Sequence, residues 1–324
     1  MDYSIFVEPK TKNEFKLNYE GNKLVAFNAD ENTVYHLQHG IPNFIYPNKL
    51  DKEDAISKDF YEGRGDQYED TIHLTFHTHN SDEEKTRKSF IDRLNLSGKS
   101  KVLEVACGTG RDSELILQML DSNAQLHMQD ISRDMMRICY NKVSSNPKAA
   151  SFSLSNALYL PYPDNTFDAA YSFGAIGEFS NISKALSEMV RVVKVGGRIV
   201  VGDESVPVWL RKTEYFKILK ATNPMFESPL PLESLPIEAR DTSIQFVLGE
   251  SFYLIDFTVG SGEPKANFDY IIPGVRGGTY RTRYEGALEG VSKETKKLAW
   301  EKVNELNTNM HDWLDAIVTK ESKK

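Results

Sequence analysis

The feature that most constrains this chain is a rhythm between Lys101 and Glu204, where compact apolar runs alternate with amphipathic ones. KVLEVAC, AQLHMQD, ASFSLSN, NTFDAAYSF and RIVVGDE read as strands, and DSELILQML, SRDMMRICYNKV and ISKALSEMVRVV between them read as helices. Strands that alternate with helices of this length form a parallel sheet with helices on both faces. After Glu204 the rhythm changes. VPVWLRKTEYFKILK is expected to be a helix, followed by a proline-rich connector. SIQFVL and SFYLIDFTV then flank Gly249-Glu250, and glycine at the first turn position favours a type II′ hairpin at the sheet edge. The expected fold class is α/β, a doubly wound, mostly parallel seven-stranded sheet with an antiparallel edge hairpin.

Around that core, residues 1–50 are read as a small β-rich N-terminal module and 51–98 as a helical lid segment. Residues 99–260 are the core, and 261–324 a loop with a C-terminal helical addition. The lid is expected as helices over Lys52–Phe76 and Ser81–Leu94, the second opened by a Ser81/Glu84 capping box. One long helix is expected over about Ser292–Val318, with Ala299, Val303, Leu306, Met310, Trp313 and Ile317 in a coiled-coil-like stripe. Such a stripe either packs on the protein's own core or forms a homodimer contact.

The formal net charge of −8 is a poor match for nucleic acid, whose phosphates require clustered Lys and Arg. No apolar run approaches the roughly 20 residues that cross a bilayer. The N-terminus lacks the basic start and apolar stretch of a secretory leader. Cys107 and Cys139 do not make a disulfide framework, so the expected setting is cytoplasmic, with neither membrane nor nucleic acid as partner.

The most specific local signal is Val102-Leu103-Glu104-Val105-Ala106-Cys107-Gly108-Thr109-Gly110-Arg111, a strand that enters a two-glycine turn and starts a helix at once. Glycine allows a sharp turn and close ligand approach, and a helix N-terminus offers free N–H groups. The dinucleotide fingerprint is not met, because Ala106 and Ser113 stand where two of its glycines belong. Glu104 at the strand end suits a ligand with an ammonium group, such as the methionyl end of S-adenosylmethionine. Asp130, with Ile131 beside it, closes the second strand and is placed to accept from ribose hydroxyls, or else caps the next helix. Asn156 and Ala157 close the third strand, where an amide meets an adenine edge or makes a simple turn. Phe173 closes the fourth and faces the ligand or the core.

Residues 100–204 resemble class I methyltransferases of the group that includes ubiquinone- and menaquinone-biosynthesis enzymes. Glu104-x-Ala106-Cys107-Gly108-Thr109-Gly110 is similar to their E/D-x-G-x-G-x-G motif. Asn156-Ala157-x-x-Leu160-Pro161-Tyr162-Pro163-Asp164-Asn165-Thr166-Phe167-Asp168 is similar to their D-A-x-x-L-P-F-x-D-x-S-F-D stretch. Glu188-x-x-Arg191-Val192-Val193-Lys194-x-Gly196-Gly197 is similar to E-x-x-R-V-L-K-P-G-G. The departures are Ala106, Asn156 and Val195. The resemblance implies a Rossmann-like methyltransferase fold and S-adenosylmethionine as cofactor. It assigns Glu104, Cys107, Gly108 and Gly110 to the methionyl part, Asp130 to the ribose and Asn156 to the adenine. Quinone-type members place a histidine pair after the fourth strand; this chain has Gly174-Ala175-Ile176-Gly177-Glu178-Phe179. Residues 1–47, through HGIPNFIYP, resemble a small zinc-ribbon module of some rRNA methyltransferases. Glu8-Pro9-Lys10-Thr11 stands at its Cys-Pro-x-Cys pair, so no metal is expected.

Methyl transfer needs alignment, and a general base only where the acceptor must lose a proton. Glu178 and His73 are the candidate catalytic groups. Tyr61, Arg64 and Tyr68, at i, i+3 and i+7, are expected to share one helix face over the cofactor. Arg276, Tyr280 and Arg281 are the candidate acceptor-binding residues, since arginine forks suit anionic groups. The expected acceptor is a small molecule. RNA or protein methylation is the alternative, and a cofactor-binding scaffold without turnover is another.

Overall fold

The computed structural model describes residues 3–14, 23–27, 32–38, 40–99, 101–273, 279–285 and 290–323. It divides into two compact units, Met1–Glu263 and Pro264–Lys324.

The first unit opens with an antiparallel sheet of β1 (Lys23–Phe27), β2 (Asn32–Gln38) and β3 (Ile41–Pro42). Four helices follow: α1 (Lys52–Tyr61), α2 (Gly65–Thr71), α3 (His73–Thr78) and α4 (Glu83–Ile91). The core comprises β4 (Lys101–Val105), α5 (Arg111–Met119), β5 (Gln125–Asp130), α6 (Arg133–Val143), β6 (Ala149–Leu154) and β7 (Phe167–Phe173). It continues through α7 (Ile182–Val192), β8 (Val193–Glu204), α8 (Glu214–Thr222), β9 (Ala239–Val247) and β10 (Phe252–Val259).

These strands form the expected seven-stranded sheet, in the order β6-β5-β4-β7-β8-β10-β9. The strands from β4 to β8 pair in parallel, and β10 runs antiparallel to both β8 and β9. Period-two alternation sorts side chains to two cores. Val102 of β4 packs with Ile116, Cys139 and Phe90 from α5, α6 and α4, whereas Leu103 and Val105 pack with Leu186 and Met189 of α7. Glu104 shares the Val102 face, directed at the start of α5. Strand order reverses at β4, with β5 on one side and β7 on the other, and such a switch point opens a crevice beyond the strands' carboxyl ends.

Several boundaries differ from the expected ones. The helix expected over 52–76 breaks after Tyr61, because Glu62 is extended (ψ 123°) and Gly63 is left-handed (φ 75°), and resumes as α2 and α3, which meet at Ile72. Asp82, not Ser81, caps α4, accepting from the Lys85 N–H at 2.7 Å, while the Ser81 hydroxyl donates to the His79 carbonyl. The edge hairpin is not a two-residue type II′ turn. Its register pairs Val247 with Phe252, and Leu248, Gly249 and Glu250 between them are all left-handed, at φ 49°, 63° and 66°.

The second unit holds α9 (Tyr280–Tyr284), α10 (Lys293–Glu305) and α11 (Met310–Ser322). The single C-terminal helix is thus split. Asn307 turns left-handed (φ 48°), and Asn309 caps α11 by accepting from the Asp312 N–H at 2.9 Å. Ala299, Val303 and Met310 bury against one another beside Trp313 and Leu314, while Leu306 is exposed. Among the described residues no helix is long and apolar enough to cross a membrane, and no group of three or more His, Cys, Asp or Glu could hold a metal ion.

Candidate active site

The site grows from the turn after β4. Ala106 takes the left-handed conformation (φ 55°) that its place in the glycine motif demands, followed by Gly108 (φ 56°) and Gly110 (φ 81°). The end of β5 holds this loop. Gln129 accepts from the Ala106 N–H through Oε1 at 3.1 Å and from the Cys107 N–H through its carbonyl at 3.0 Å. Asp130 accepts from the Gly108 N–H at 2.8 Å and, with its other oxygen, from the Ser132 N–H at 2.8 Å. A Cβ on Gly108 would meet nothing, so that backbone faces open space. A Cβ on Gly110 would lie 2.8 Å from Cys139 Sγ and 3.2 Å from its Cα, which makes this glycine a packing requirement.

A pocket lies at the carboxyl ends of β4, β5, β6 and β7, with about 920 Å³ of space that is partly open to solvent. Its wall contains Glu104, Ala106, Cys107, Gly108, Asp130, Ile131, Asn156, Ala157 and Phe173, joined by Tyr61, Tyr68 and Glu178. Gly110 stays behind the wall, against Cys139. Two expected residues fall elsewhere. Arg64 leaves the shared face because the chain breaks at Gly63; it precedes α2, is exposed, and lies over the Phe60 ring at 4.2 Å. His73 lines a neighbouring cleft with His77 and Glu83, edge-to-face with His77 at 5.6 Å, and is not among the residues of this pocket's wall. Arg276 lies outside the described residues. In the second unit Tyr280 is exposed, and Arg281 forks onto Asp269 at 2.7 and 3.1 Å.

The carboxylates behave differently from surface acids. Burial, with Asp112 nearby, raises the Glu104 carboxyl well above its usual range, and Ser113 Oγ donates to it. Burial pushes Asp130 up to about 6, against the backbone N–H groups that pull it down. Burial also raises Glu178, whose oxygens accept from Ser57 Oγ at 2.6 Å and Tyr61 OH at 2.9 Å. Both arginines in the wall are committed. Arg87 holds both oxygens of Asp112 at 3.0 Å, and Arg111 holds both of Glu83 at 3.1 Å.

Sequence reasoning passed over Asp54, Ser57, Arg87, Asp112 and Gln129. Asp54 is buried and accepts from Asn156 Nδ2 (3.0 Å), Ser180 N–H (2.9 Å) and Ser180 Oγ (2.8 Å). Asp54, Ser57 and Tyr61 recur at i, i+3 and i+7 of α1, a spacing that was readable. The pairing of Arg87 with Asp112 had no local signal. Asn156 does double duty, since its Oδ1 also accepts from the Leu158 N–H at 2.9 Å and closes the turn after β6.

A seven-stranded sheet of this order, with an acid-tipped first strand and a pocket at the switch point, has the architecture of the Rossmann-like methyltransferase fold. A model of the ubiE/COQ5 methyltransferase family matches residues 53–228, more than half of the sequence, and the chain belongs to that family. It is similar to a demethylmenaquinone methyltransferase of Symbiobacterium thermophilum, 32% identical over 126 residues, 38% of this chain and 50% of the relative. It is similar also to the methyltransferase GfsG of Streptomyces halstedii, 28% identical over 122 residues, 37% of this chain and 43% of the relative. The chain spans about half the length of the curated relatives it matches. Among solved structures, Haemonchus contortus phosphoethanolamine N-methyltransferase 2 in complex with S-adenosyl-L-methionine is 13% identical with a TM-score of 0.48, covering 75% of this chain and 71% of that one. The family match begins at residue 53 and leaves the zinc-ribbon resemblance of residues 1–47 without support.

The donor set fits S-adenosylmethionine. Glu104 offers a buried carboxylate to an ammonium, the Gly108 backbone leaves room for close approach, and Asp130 offers acceptors to paired hydroxyls. A diphosphate would meet Glu104 and Asp130 with both nearby arginines already engaged.

Proposed function

We propose that this chain transfers a methyl group from S-adenosylmethionine to a small-molecule acceptor, in a cytoplasmic setting. The observation that carries the reading is the convergence of Glu104, the Ala106–Gly110 turn, Asp130, Asn156 and Phe173 on one pocket at the switch point. The cofactor supplies an electrophilic methyl group on a sulfonium; the chain supplies binding, orientation and shielding from water. Glu104 holds the ammonium end, Asp130 the ribose hydroxyls, and Asn156 with Ala157 the adenine edge. Phe173 and Tyr68 border the sulfonium region. Glu178 is the residue placed to take a proton from an acceptor.

Calorimetric titration with S-adenosylhomocysteine tests this. The expected result is micromolar binding, weakened at least about tenfold by Asp130→Ala, the loss of one or two hydrogen bonds to a charged acceptor. A well-folded protein that binds no S-adenosylhomocysteine would end the reading. Tight binding without turnover on any acceptor would favour the scaffold alternative.

Self-association through α10 and α11 belongs to the same proposal, because Leu298, Trp300 and Val318 remain exposed on them. Sedimentation of the full chain against residues 1–263 should show a dimer only in the former.

A further inference from the structure

We infer that the acceptor end of the pocket is built for a small organic ammonium, with Glu178 as its counter-charge and Tyr61, Tyr68 and Phe179 as flanking rings. This rests on the methyltransferase reading, which allots Glu104, Asp130 and Asn156 to the cofactor. The wall also contains Asp54, Arg87, Arg111 and Asp112, each engaged by protein partners, and beside them Ser57, Tyr61, Tyr68, Ala175, Glu178 and Phe179.

Of the three carboxylates not allotted to the cofactor, Asp54 accepts three donors from Asn156 and Ser180 and Asp112 is held by Arg87, whereas Glu178 accepts two hydroxyls and faces no cation among the described residues. From α1 it receives only neutral donors, the hydroxyls of Ser57 and Tyr61. From β8 it faces Asp203, another carboxylate, which is itself buried and held by the Gly177 N–H. Tyr68 of α2 and Asp130 of β5 also sense its charge, and neither is basic. The arginines that line the pocket are spent on Asp112 and Glu83. A half-buried carboxylate without a counter-ion is costly, and burial with Asp203 accordingly raises the Glu178 carboxyl. A ligand ammonium relieves that cost. Tyr61 and Tyr68, edge-to-face at 6.0 Å, line the same wall and supply aromatic surface beside Glu178. The same charges repel an acceptor that carries carboxylate or phosphate.

The test uses the full chain saturated with S-adenosylhomocysteine and three probes of matched shape: benzylamine, benzyl alcohol and benzoate. Benzylammonium should bind about tenfold or more tightly than the alcohol, with benzoate weakest, the scale of one desolvated charge contact with a ring face. Because a bound ammonium favours the ionised carboxylate, binding near the raised Glu178 titration should release protons, read by comparing buffers of different ionisation enthalpy. Glu178→Gln should abolish that release and remove the preference for the amine. Equal binding of the alcohol or benzoate to the wild type would overturn the inference, whatever the variant does. So would a Glu178→Gln variant that keeps its amine preference but weakens S-adenosylmethionine relative to S-adenosylhomocysteine, since Glu178 would then serve the sulfonium. Failure to bind S-adenosylhomocysteine at all would instead strike the methyltransferase reading, and this inference with it.

Discussion

At the residue scale, two positions carry separable roles. Gly110 serves packing: its left-handed φ of 81° and the Cys139 side chain 2.8 Å from a would-be Cβ both forbid a larger residue. Gly110→Ala should cost about 2 kcal/mol or more, from backbone strain plus overpacking, read as a fall in the denaturation midpoint. Gly108 is also left-handed (φ 56°) but meets no such neighbour, so alanine there should cost backbone strain alone, less than at Gly110, and disturb ligand approach. Asp130, which lines the pocket and is proposed to hold the ribose, titrates within reach. Its folded carboxyl is raised from 3.8 to about 6, so the folded state takes up a proton more readily than the unfolded one. Its contribution to stability is therefore largest at low pH, declines as pH rises through that window, and levels off above about 6. Ligand affinity runs the other way. S-adenosylhomocysteine should bind evenly above pH 7 and progressively more weakly below 6, as the carboxylate that accepts from hydroxyls is lost; an Asp130→Asn variant that kept the same profile would assign it to another group.

At the element scale, α1 is the part of the lid whose docking is best defined. Asp54 ties it to the turn after β6 and to Ser180, and Ser57 and Tyr61 tie it to Glu178 after β7. All three lie on one face, and all three line the pocket. Asp54→Ala leaves Asn156 Nδ2 and the Ser180 donors without their acceptor. The expected cost is about 1–3 kcal/mol, concentrated locally. Hydrogen exchange should speed up over residues 52–61 and not over β4 or β5; uniform acceleration would show that α1 has no separate opening. The element α4 is anchored differently, by the buried pair of Arg87 with Asp112 on α5, its two bonds at 3.0 Å.

At the scale of the whole molecule, the pocket residues all belong to Met1–Glu263, which holds both apolar cores. Residues 1–263 should therefore fold cooperatively and keep S-adenosylhomocysteine affinity within about threefold of the full chain; a broad transition or lost binding would show that Pro264–Lys324 completes the fold. The sequence by itself determined the sheet, because period-two strands and amphipathic helices encode locally which face is buried. It determined the glycine turn and Asp130 for the same reason, since strand ends and left-handed positions leave local marks. It did not place the helix breaks at Gly63 and Asn307, where one left-handed residue interrupts an otherwise helical pattern. Nor did it separate Tyr61 and Tyr68, which enter the pocket, from Arg64, which does not. Only the tertiary structure decided that Asp54 would meet Asn156, that Arg87 would be spent on Asp112, and that Glu178 would face hydroxyls and Asp203 with no cation among the described residues. Those pairings join residues 25 to 121 positions apart. At such separations no local pattern records a partner, and desolvation in the folded core fixes what each charge does.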